Sequence, residues 1–272
     1  MTSNLLGTDL QTVAGRVLAD ADGPVFAVSP SEQTIEGLIE TAEATDDATQ
    51  LRLLADRGEL RSVMEDFLVA SAAADLVAAD ALAMRTAVDL PRTQFLVTED
   101  RTIALVTAGD TVAGIASTDA DVVDPVYDAT ATTWADAEPF SPRSPAITDV
   151  RETLATDVGE AVEGDFDEML ASMETARGDG DDLDEVTVSL LAAARNGVLL
   201  YDISKWGEDV GVASKATFSR TKTDLEERGL IETEKVPIDV GRPRLRLRLA
   251  DERLRTADPE ELVSVAQSAL AS

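Results

Sequence analysis

Strand-like and helix-like spacing of apolar residues alternate in the first part of the chain. A short helix is predicted at 10–19, and residues 24–29 form an apolar run, bounded by glycine and proline, that predicts a buried strand. Ser31 then begins a helix, because its hydroxyl is a good N-cap. The same order recurs with a strand at 50–55 and a helix at 59–74. Strands that alternate with helices predict an α/β layer with a largely parallel sheet.

The spacing then changes to three short apolar strands joined by polar turns. These strands are predicted at 94–97, 102–107 and 111–117, and their short connections favour antiparallel pairing. A helix over 120–135 follows, with Pro125 tolerated in its first turns. The first part of the chain is therefore predicted to be an N-terminal α/β sheet domain, and the fold class is α/β.

The rest of the chain divides into a helical connector, a linker and a second domain. Residues 147–176 have helical spacing, and Gly178–Asp182 contain two glycines and three acids, which do not easily pack or continue a helix. The predicted domains are an α/β regulatory or dimerisation domain at 1–146, the connector with its acidic linker at 147–182, and a C-terminal domain at 183–272.

Two short helices open the C-terminal domain. Amphipathic spacing predicts a helix over 183–195, followed by a short strand at 198–200. Asp202 or Ser204 provides the N-cap of a second helix, which is predicted to end at Asp209. This order matches the start of a helix-turn-helix, the arrangement in which a later helix contacts DNA.

A tight turn and a third helix complete this arrangement. Gly211–Ala213 form the turn, Ser214 is the N-cap, and the helix runs over 215–228. Phe218 and Leu225 face the core, which leaves small hydroxyl and basic side chains outside at the N-terminal half. A recognition helix contacts base edges with residues at that end. The predicted DNA contacts from this helix are Ser214, Lys215, Thr217, Ser219, Arg220 and Lys222.

A basic hairpin, the wing, follows the third helix. Residues 230–236 and 244–249 alternate with a period of two around a tip at Gly241-Arg-Pro. Leucines occupy one face of the second strand and arginines the other, and an arginine at the tip can reach a minor groove. The predicted DNA contacts from the wing are Arg242, Arg244, Arg246 and Arg248. The alternative is an arginine-rich edge strand that only prevents sheet aggregation.

The charge distribution also favours a DNA site in the C-terminal domain. The chain has a formal net charge of −30, with 23 Lys and Arg against 53 Asp and Glu. Residues 195–255 hold 13 of these bases, including all four lysines, but only 11 of the acids. Cations gathered in one segment favour a polyanionic partner. The dispersed acids elsewhere indicate a halophilic surface, and an acidic DNA mimic is the weaker interpretation.

Missing residue types exclude several kinds of chemistry. The chain has no Cys and no His, which excludes disulfides, thiolate or imidazole metal sites and a Ser-His-Asp triad. We therefore expect no metal and no other cofactor. No apolar run has the length of a membrane span, and Met1–Asp9 lacks a signal-peptide pattern. The expected location is the cytoplasm.

The motifs resemble those of known regulators. Ala213-Ser-Lys-Ala-Thr-Phe-Ser-Arg220, Leu225-Glu-Glu-Arg-Gly-Leu-Ile231 and Gly241-Arg-Pro-Arg244 resemble archaeal winged helix-turn-helix proteins. The whole chain is similar to the haloarchaeal TbsP transcriptional regulator family, which is associated with TrmB-type control of sugar metabolism. Residues 24–140 also resemble the phospholipase-D-like regulatory domain found beside such winged helices. Catalytic members of that fold use a His-Lys-Asp motif, and this region has neither His nor Lys, so the resemblance implies a non-catalytic domain.

The leading hypothesis is a sequence-specific transcriptional regulator that binds promoter DNA as a homodimer and controls genes of central sugar metabolism. The first domain then dimerises, binds a small-molecule metabolite, or does both. A winged helix that binds proteins and not DNA is the second hypothesis, although such a module does not need a row of exposed arginines. An enzyme is the third and weakest hypothesis. Pairs of carboxylates could serve in catalysis, but they occur by chance throughout so acidic a chain and therefore do not indicate an active site.

Overall fold

The structure is a computed structural model that describes residues 4–6, 9–45, 49–108, 111–177, 183–237, 243–250 and 252–270. Two compact units are present. The first contains residues 1–65 and 69–143, and the second contains 66–68 and 144–272. The predicted Gly178–Asp182 linker lies outside the described residues. The domain boundaries proposed from the sequence stay predictions.

Within the described residues, the first unit is built on one eight-stranded sheet in the order β1-β7-β6-β5-β2-β3-β4-β8. Its strands are β1 (Asn4–Leu6), β2 (Val25–Val28), β3 (Leu51–Ala55), β4 (Leu82–Thr86), β5 (Phe95–Val97), β6 (Thr102–Ala108), β7 (Thr111–Ser117) and β8 (Glu138–Phe140). The β2–β3 and β3–β4 pairs are parallel, and the other described pairs are antiparallel. The parallel pairing predicted for the α/β layer is therefore confirmed at β2, β3 and β4, but the sheet as a whole is mixed. The hairpin strands β5 to β7, correctly predicted to be antiparallel, join the same sheet at β2.

Helices pack on both faces of this sheet. They are α1 (Leu10–Asp20), α2 (Glu32–Glu43), α3 (Arg57–Val63), α4 (Phe67–Ala78) and α5 (Ala120–Asp136). Alternate residues of β2 enter two cores: Val25 and Ala27 pack with residues of α1 to α4, whereas Phe26 and Val28 pack with residues of α5. This alternation follows from the two-residue period of a strand.

The single helix predicted at 59–74 is two helices. The Asp66 carboxylate begins α4 by accepting a hydrogen bond from the Leu68 amide at 2.9 Å. The same carboxylate accepts the Ala176 amide at 3.2 Å and the Thr175 hydroxyl at 2.5 Å. A carboxylate that is 3% exposed needs such donors. The helix is therefore interrupted before Asp66, although the apolar spacing continues.

The second unit combines a group of helices with a two-stranded hairpin. Its described elements are α6 (Ile147–Asp157), α7 (Glu160–Ala171), α8 (Glu185–Arg195), α9 (Leu200–Val210), α10 (Lys215–Glu227), β9 (Ile231–Val236), β10 (Arg244–Leu249), α11 (Glu252–Thr256) and α12 (Pro259–Leu270). Phe166, Leu190 and Leu262 share one core, so the helices predicted as a connector pack with the helix-turn-helix. No helix in the described part of the chain is long and apolar enough to cross a membrane.

The start of α9 differs from the prediction. Leu199 occupies the N-cap position and makes no side-chain capping bond. Asp202 lies in the first turn, and the buried Ser204 hydroxyl donates to the Tyr201 carbonyl at 3.2 Å. The short strand predicted at 198–200 is one β-bridge between Leu199 and Arg246. The bridge lies directly before α9, which begins at Leu200, so the predicted caps are wrong.

Candidate nucleic-acid interface

Two glycines shape the turn between α9 and α10. A Cβ atom on Gly207 would lie 2.3 Å from Cε2 of Phe218, so the two helices approach more closely than alanine permits. Gly211 ends α9 with φ of 94°, a left-handed conformation that glycine adopts without steric strain. The Gly207 carbonyl accepts the amides of Gly211 and Ala213 at 3.1 and 3.2 Å. The predicted helix-turn-helix is confirmed.

Helix α10 begins at the predicted cap. The Ser214 hydroxyl oxygen accepts the Thr217 amide at 3.2 Å and lies 3.0 Å from the Thr217 hydroxyl oxygen. Phe218 and Leu225 are buried, as predicted from their spacing. Ser219 lies on the exposed side of the helix and Thr217 is half-buried. The cap and the buried face together fix which side of α10 is presented to solvent.

Arg220 differs from the other basic residues of α10. It is exposed, and its guanidinium makes no ion pair with any described residue. A guanidinium presents a planar set of five donors and can bond two acceptors of guanine at once. A partner can therefore bind the Arg220 guanidinium without first displacing an ion pair with a described residue.

Lys215 is bound by an acid of the preceding helix. Its ammonium donates a hydrogen bond to the Glu208 carboxylate across the turn. This bond raises the pKa of Lys215 and lowers the pKa of Glu208. The two side chains are 44% and 45% exposed. Lys215 thus faces solvent, but an exposed acid neutralises its charge.

Lys222 does not lie on the outer face, so this part of the prediction is wrong. Its side chain is 12% exposed, and its ammonium donates to the Glu226 carboxylate at 2.6 Å. That carboxylate also accepts the Thr233 hydroxyl at 2.7 Å. Burial acts to raise the pKa of Glu226, but these two hydrogen bonds outweigh it and leave the pKa lowered. Four-residue spacing places Lys222 next to Glu226, and the pair connects α10 to β9. Its DNA contact stays a prediction.

Strands β9 and β10 form the predicted antiparallel hairpin. Leu247 and Leu249 are buried, and Arg248 on the other face is exposed. The Arg248 guanidinium lies 2.9 Å from the Glu234 carboxylate of the partner strand. Opposite charges on neighbouring strands stabilise such a hairpin. Arg242, at the predicted tip, lies outside the described residues.

Arg244 connects the wing to the first turn of α9. Its guanidinium carbon lies 4.1 Å from the centre of the Tyr201 ring. One of its nitrogens lies 3.4 Å from the Asp202 carboxylate. Ring stacking and a carboxylate together orient this guanidinium at the junction of the wing and the helix-turn-helix.

Arg246 lies where β10 passes the segment before α9. The β-bridge to Leu199 holds its backbone, and the neighbouring Leu247 amide donates to the Val198 carbonyl at 2.9 Å. Its Nε atom is buried and has no hydrogen-bond partner among the residues that the structure describes. In the described part of the chain Arg246 makes no ion pair. Arg246, like Arg220, therefore has a charge that no described acid neutralises, but its side chain is less exposed to solvent.

The structure adds acids that sequence reasoning did not assign to this surface. They are Asp202, Glu208, Glu226 and Glu234. Four-residue spacing already signals the pair of Lys222 and Glu226. The other three acids lie on different elements from their partners, so only the tertiary fold brings each pair together.

A separate candidate site lies in the first unit, at the carboxyl ends of the parallel strands. One cleft of about 460 Å³ and another of about 420 Å³ share Asp56 and Ala87 in their walls. In the first, Arg57 donates to Glu138 at 2.5 Å. In the second cleft, the Ser29 hydroxyl oxygen is buried and has no hydrogen-bond partner in the described part of the chain. Small ligands of α/β folds commonly bind at this edge of the sheet. Across the described residues, no group of three or more acids could hold a metal ion.

Two family models match the chain. The model for the N-terminal part of TbsP-like transcriptional regulators matches residues 2–145, and the model for their C-terminal helix-turn-helix domain matches residues 146–267. Together the two matches cover almost the whole chain. No curated protein matches this sequence.

Two solved structures are distantly similar. TrmBL2, described as an archaeal chromatin protein with a novel mode of DNA binding, is 12% identical with a TM-score of 0.38, over 51% of this chain and 53% of that one. The chain thus spans about half the length of TrmBL2. Nuc, a phospholipase D family member from Salmonella typhimurium, is 7% identical with a TM-score of 0.37, over 52% of this chain and 99% of that one.

Proposed function

We propose that this chain, which belongs to the TbsP-like family of transcriptional regulators, recognises a specific DNA sequence through α10 and the wing. The family match and the winged helix-turn-helix identify a DNA-binding transcriptional regulator. In the proposed complex, the N-terminal half of α10 enters the major groove, and the wing contacts the phosphate backbone and the neighbouring minor groove.

The position of Arg220 carries this proposal. It is exposed, lacks an ion-pair partner among the described residues and follows Ser219, whose small side chain permits a close approach to the groove floor. A bidentate contact between a guanidinium and guanine contributes about 1–3 kcal/mol of discrimination between bases. Arg220 therefore supports sequence-specific recognition and not only attraction to phosphates.

Selection of duplexes from a random pool with the full chain gives the first test, because it identifies the bound sequence directly. Arg220→Ala should weaken binding to the selected duplex by about 1–3 kcal/mol more than binding to a random duplex. Arg220→Lys keeps the charge but loses the bidentate geometry, so it should reduce mainly the affinity for the selected duplex. Arg16→Ala, at an exposed position of α1, is the control for charge. Equal losses on both duplexes would contradict base recognition by Arg220.

The proposal extends to assembly and regulation. We infer a cytoplasmic homodimer that binds promoters of central sugar metabolism genes, with a first unit that dimerises or binds a metabolite and catalyses no reaction. Two subunits would read two half-sites, and the clefts beside Asp56 support a small effector. Light scattering of the full chain tests the dimer, and genome-wide mapping of bound sites tests the pathway. A monomer, or promoters of unrelated genes, would overturn the corresponding part.

A protein-binding winged helix is the second candidate. It is favoured by the ion pairs of Lys215, Arg244 and Arg248, since a neutralised surface suits a protein partner as well as DNA. The same selection separates the two candidates. Failure to enrich any duplex at any salt concentration would support the protein-binding module and overturn DNA recognition.

A further inference from the structure

Besides the largely buried Lys222, three exposed cations predicted to contact DNA are already neutralised within the second unit. The pairs are Lys215 with Glu208, Arg244 with Asp202, and Arg248 with Glu234. All six side chains are between 38% and 54% exposed. The acids therefore reach the same solvent as their partners, and a phosphate that approaches one of these cations also approaches a carboxylate.

Such a pair offers DNA no net positive charge. A phosphate must displace the carboxylate before it contacts the cation, and the displaced carboxylate then repels the phosphate. Sequence-independent affinity comes from cations that neutralise phosphates and release counterions, which changes the slope of log K against log salt by about 0.9 for each phosphate. A cation that an acid already neutralises adds almost nothing to this slope.

Arg220 and Arg246 differ from these three residues. Neither makes an ion pair with a described residue, so each can contact DNA without losing an intramolecular partner. The described surface therefore contains fewer effective cations than its composition indicates. Contacts to base edges, which salt screens less than phosphate contacts, must then supply a larger share of the affinity.

We propose that Glu208, Asp202 and Glu234 mask Lys215, Arg244 and Arg248 from DNA phosphates and so make DNA binding only weakly dependent on salt concentration. This inference rests on the proposed function, because it assumes that α10 and the wing contact DNA. It gives a role to carboxylates that otherwise only oppose binding of a polyanion. Glu208 gives the clearest test, because its partner Lys215 is the first residue of α10 and belongs to the half of this helix that is proposed to enter the major groove.

Glu208→Gln in the full chain tests the mask, because it removes the charge and keeps the size. The affinity for a random-sequence duplex is measured over a tenfold range of KCl concentration. Release of Lys215 should steepen the slope of log K against log salt by about 0.9. The ratio of the variant's affinity to that of the wild type should therefore be about eightfold higher at the lowest KCl concentration than at the highest. Glu234→Gln tests the same effect on the wing through Arg248.

Two further variants separate masking from a general change of charge. Glu227→Gln removes an exposed acid of α10 that makes no ion pair with a described residue, and it should leave the slope unchanged. In a Lys215→Gln background, Glu208→Gln should also have no effect on the slope, because no masked cation remains at this position. The double variant therefore measures whether Glu208 acts through Lys215.

The outcomes distinguish the inference from the proposed function. If the wild type binds no duplex, the proposed function fails. If Arg220→Ala impairs target binding but Glu208→Gln behaves like Glu227→Gln, recognition stands and masking is overturned. Masking is also overturned if Glu208→Gln steepens the slope equally with and without Lys215, since the acid then repels phosphate directly.

Discussion

Two arginines that pack against a tryptophan ring in the first unit contrast with two that face solvent in the second. In the first unit, Arg52 and Arg85 lie 5.8 and 5.0 Å from the centre of the Trp134 ring, and Arg85 also donates to the Trp134 carbonyl at 2.8 Å. In the second unit, Arg220 is exposed and has no ion-pair partner among the described residues, while Arg248 is paired with an exposed acid. The contacts of Arg52 and Arg85 connect the sheet to helix α5, which covers it, whereas Arg220 and Arg248 present their charges to solvent. A segment's content of cations therefore does not locate a DNA surface until the contacts of each cation are known.

The largest expected effect tests whether packing, and not charge, supports the surface of the second unit. Gly207→Ala places a Cβ against the Phe218 ring and should destabilise this unit by about 3 kcal/mol, since α9 and α10 must separate. Urea unfolding measures the loss. Gly164→Ala in α7 is the control, because no atom of the described residues lies within 4 Å of its Cβ position, and it should stabilise this unit by about 0.5–1 kcal/mol. A variant of Gly207 with wild-type stability would contradict the close approach of the helices.

The next effect concerns the partly buried carboxyl group of Glu185 in the second unit. Burial raises the pKa of Glu185 to about 7, and the Asp184 and Asp66 carboxylates add to the rise. The folded state therefore holds this proton more tightly than the unfolded chain, whose value is near 4.5. The resulting stability is fully present below pH 4.5 and is lost as the pH rises through 7.

Glu185→Gln removes this pH-dependent loss. Above pH 7 the variant should be more stable than the wild type by about 2–3 kcal/mol, and the difference should disappear below pH 4.5. Urea unfolding at several pH values measures the difference. Glu168→Gln, an exposed position of α7, provides the same charge change without burial. The same pH dependence in both variants would show that net charge is responsible.

A smaller effect tests the structural use of arginine in the first unit. Arg85→Ala removes hydrogen bonds to the Trp134 and Ala135 carbonyls and a contact with the Trp134 ring, so it should destabilise the first unit by about 2 kcal/mol. The salt slope of DNA binding should not change. Thermal unfolding and the random-duplex assay give the two measurements. If Arg85→Ala instead made the salt slope of DNA binding shallower and left the stability unchanged, Arg85 would act in DNA binding and not in the packing of the first unit.

The smallest effect concerns Arg246 in the second unit. Arg246→Ala should weaken binding to all duplexes alike and make the salt slope shallower by about 0.9, as expected for one lost phosphate contact. Titrations of the selected and the random duplex over a range of KCl measure this change. An unchanged slope would make Arg246 a structural residue like Arg85, consistent with its buried Nε atom.

Local signals in the sequence predict much of the fold. The caps at Ser31 and Ser214 are predictable because a hydroxyl residue precedes a helical apolar spacing in each case. Strand β4 is not, since the apolar helix α4 runs almost directly into it. The reversal between them occurs at Asp80, with φ of 57°, and no glycine marks it in the sequence. The strand is therefore visible only once the sheet is formed.

The sequence predicts the cations of the candidate interface but not the acids that neutralise them. Period-two spacing identifies the wing arginines, and capping identifies the start of α10. The partner of Arg244 is Asp202, which lies far away in sequence on α9, and the partner of Lys215 lies across a turn. No local spacing signals such pairs. The net charge of the surface consequently depends on tertiary structure, although its positive charges are evident in the sequence.

The short segment Asp66–Leu68 has a consequence for how the gene can change. The chain leaves the first unit at residue 66, returns to it at 69 and leaves it again at 144. Phe67 is 3% exposed within the apolar core of the second unit. A recombination event with a single breakpoint therefore cannot exchange one whole unit for that of a relative. A breakpoint near residue 144, for example, separates residues 66–68 from the rest of the second unit. The two units are expected to be inherited together, and Phe67 should vary in step with the core that surrounds it.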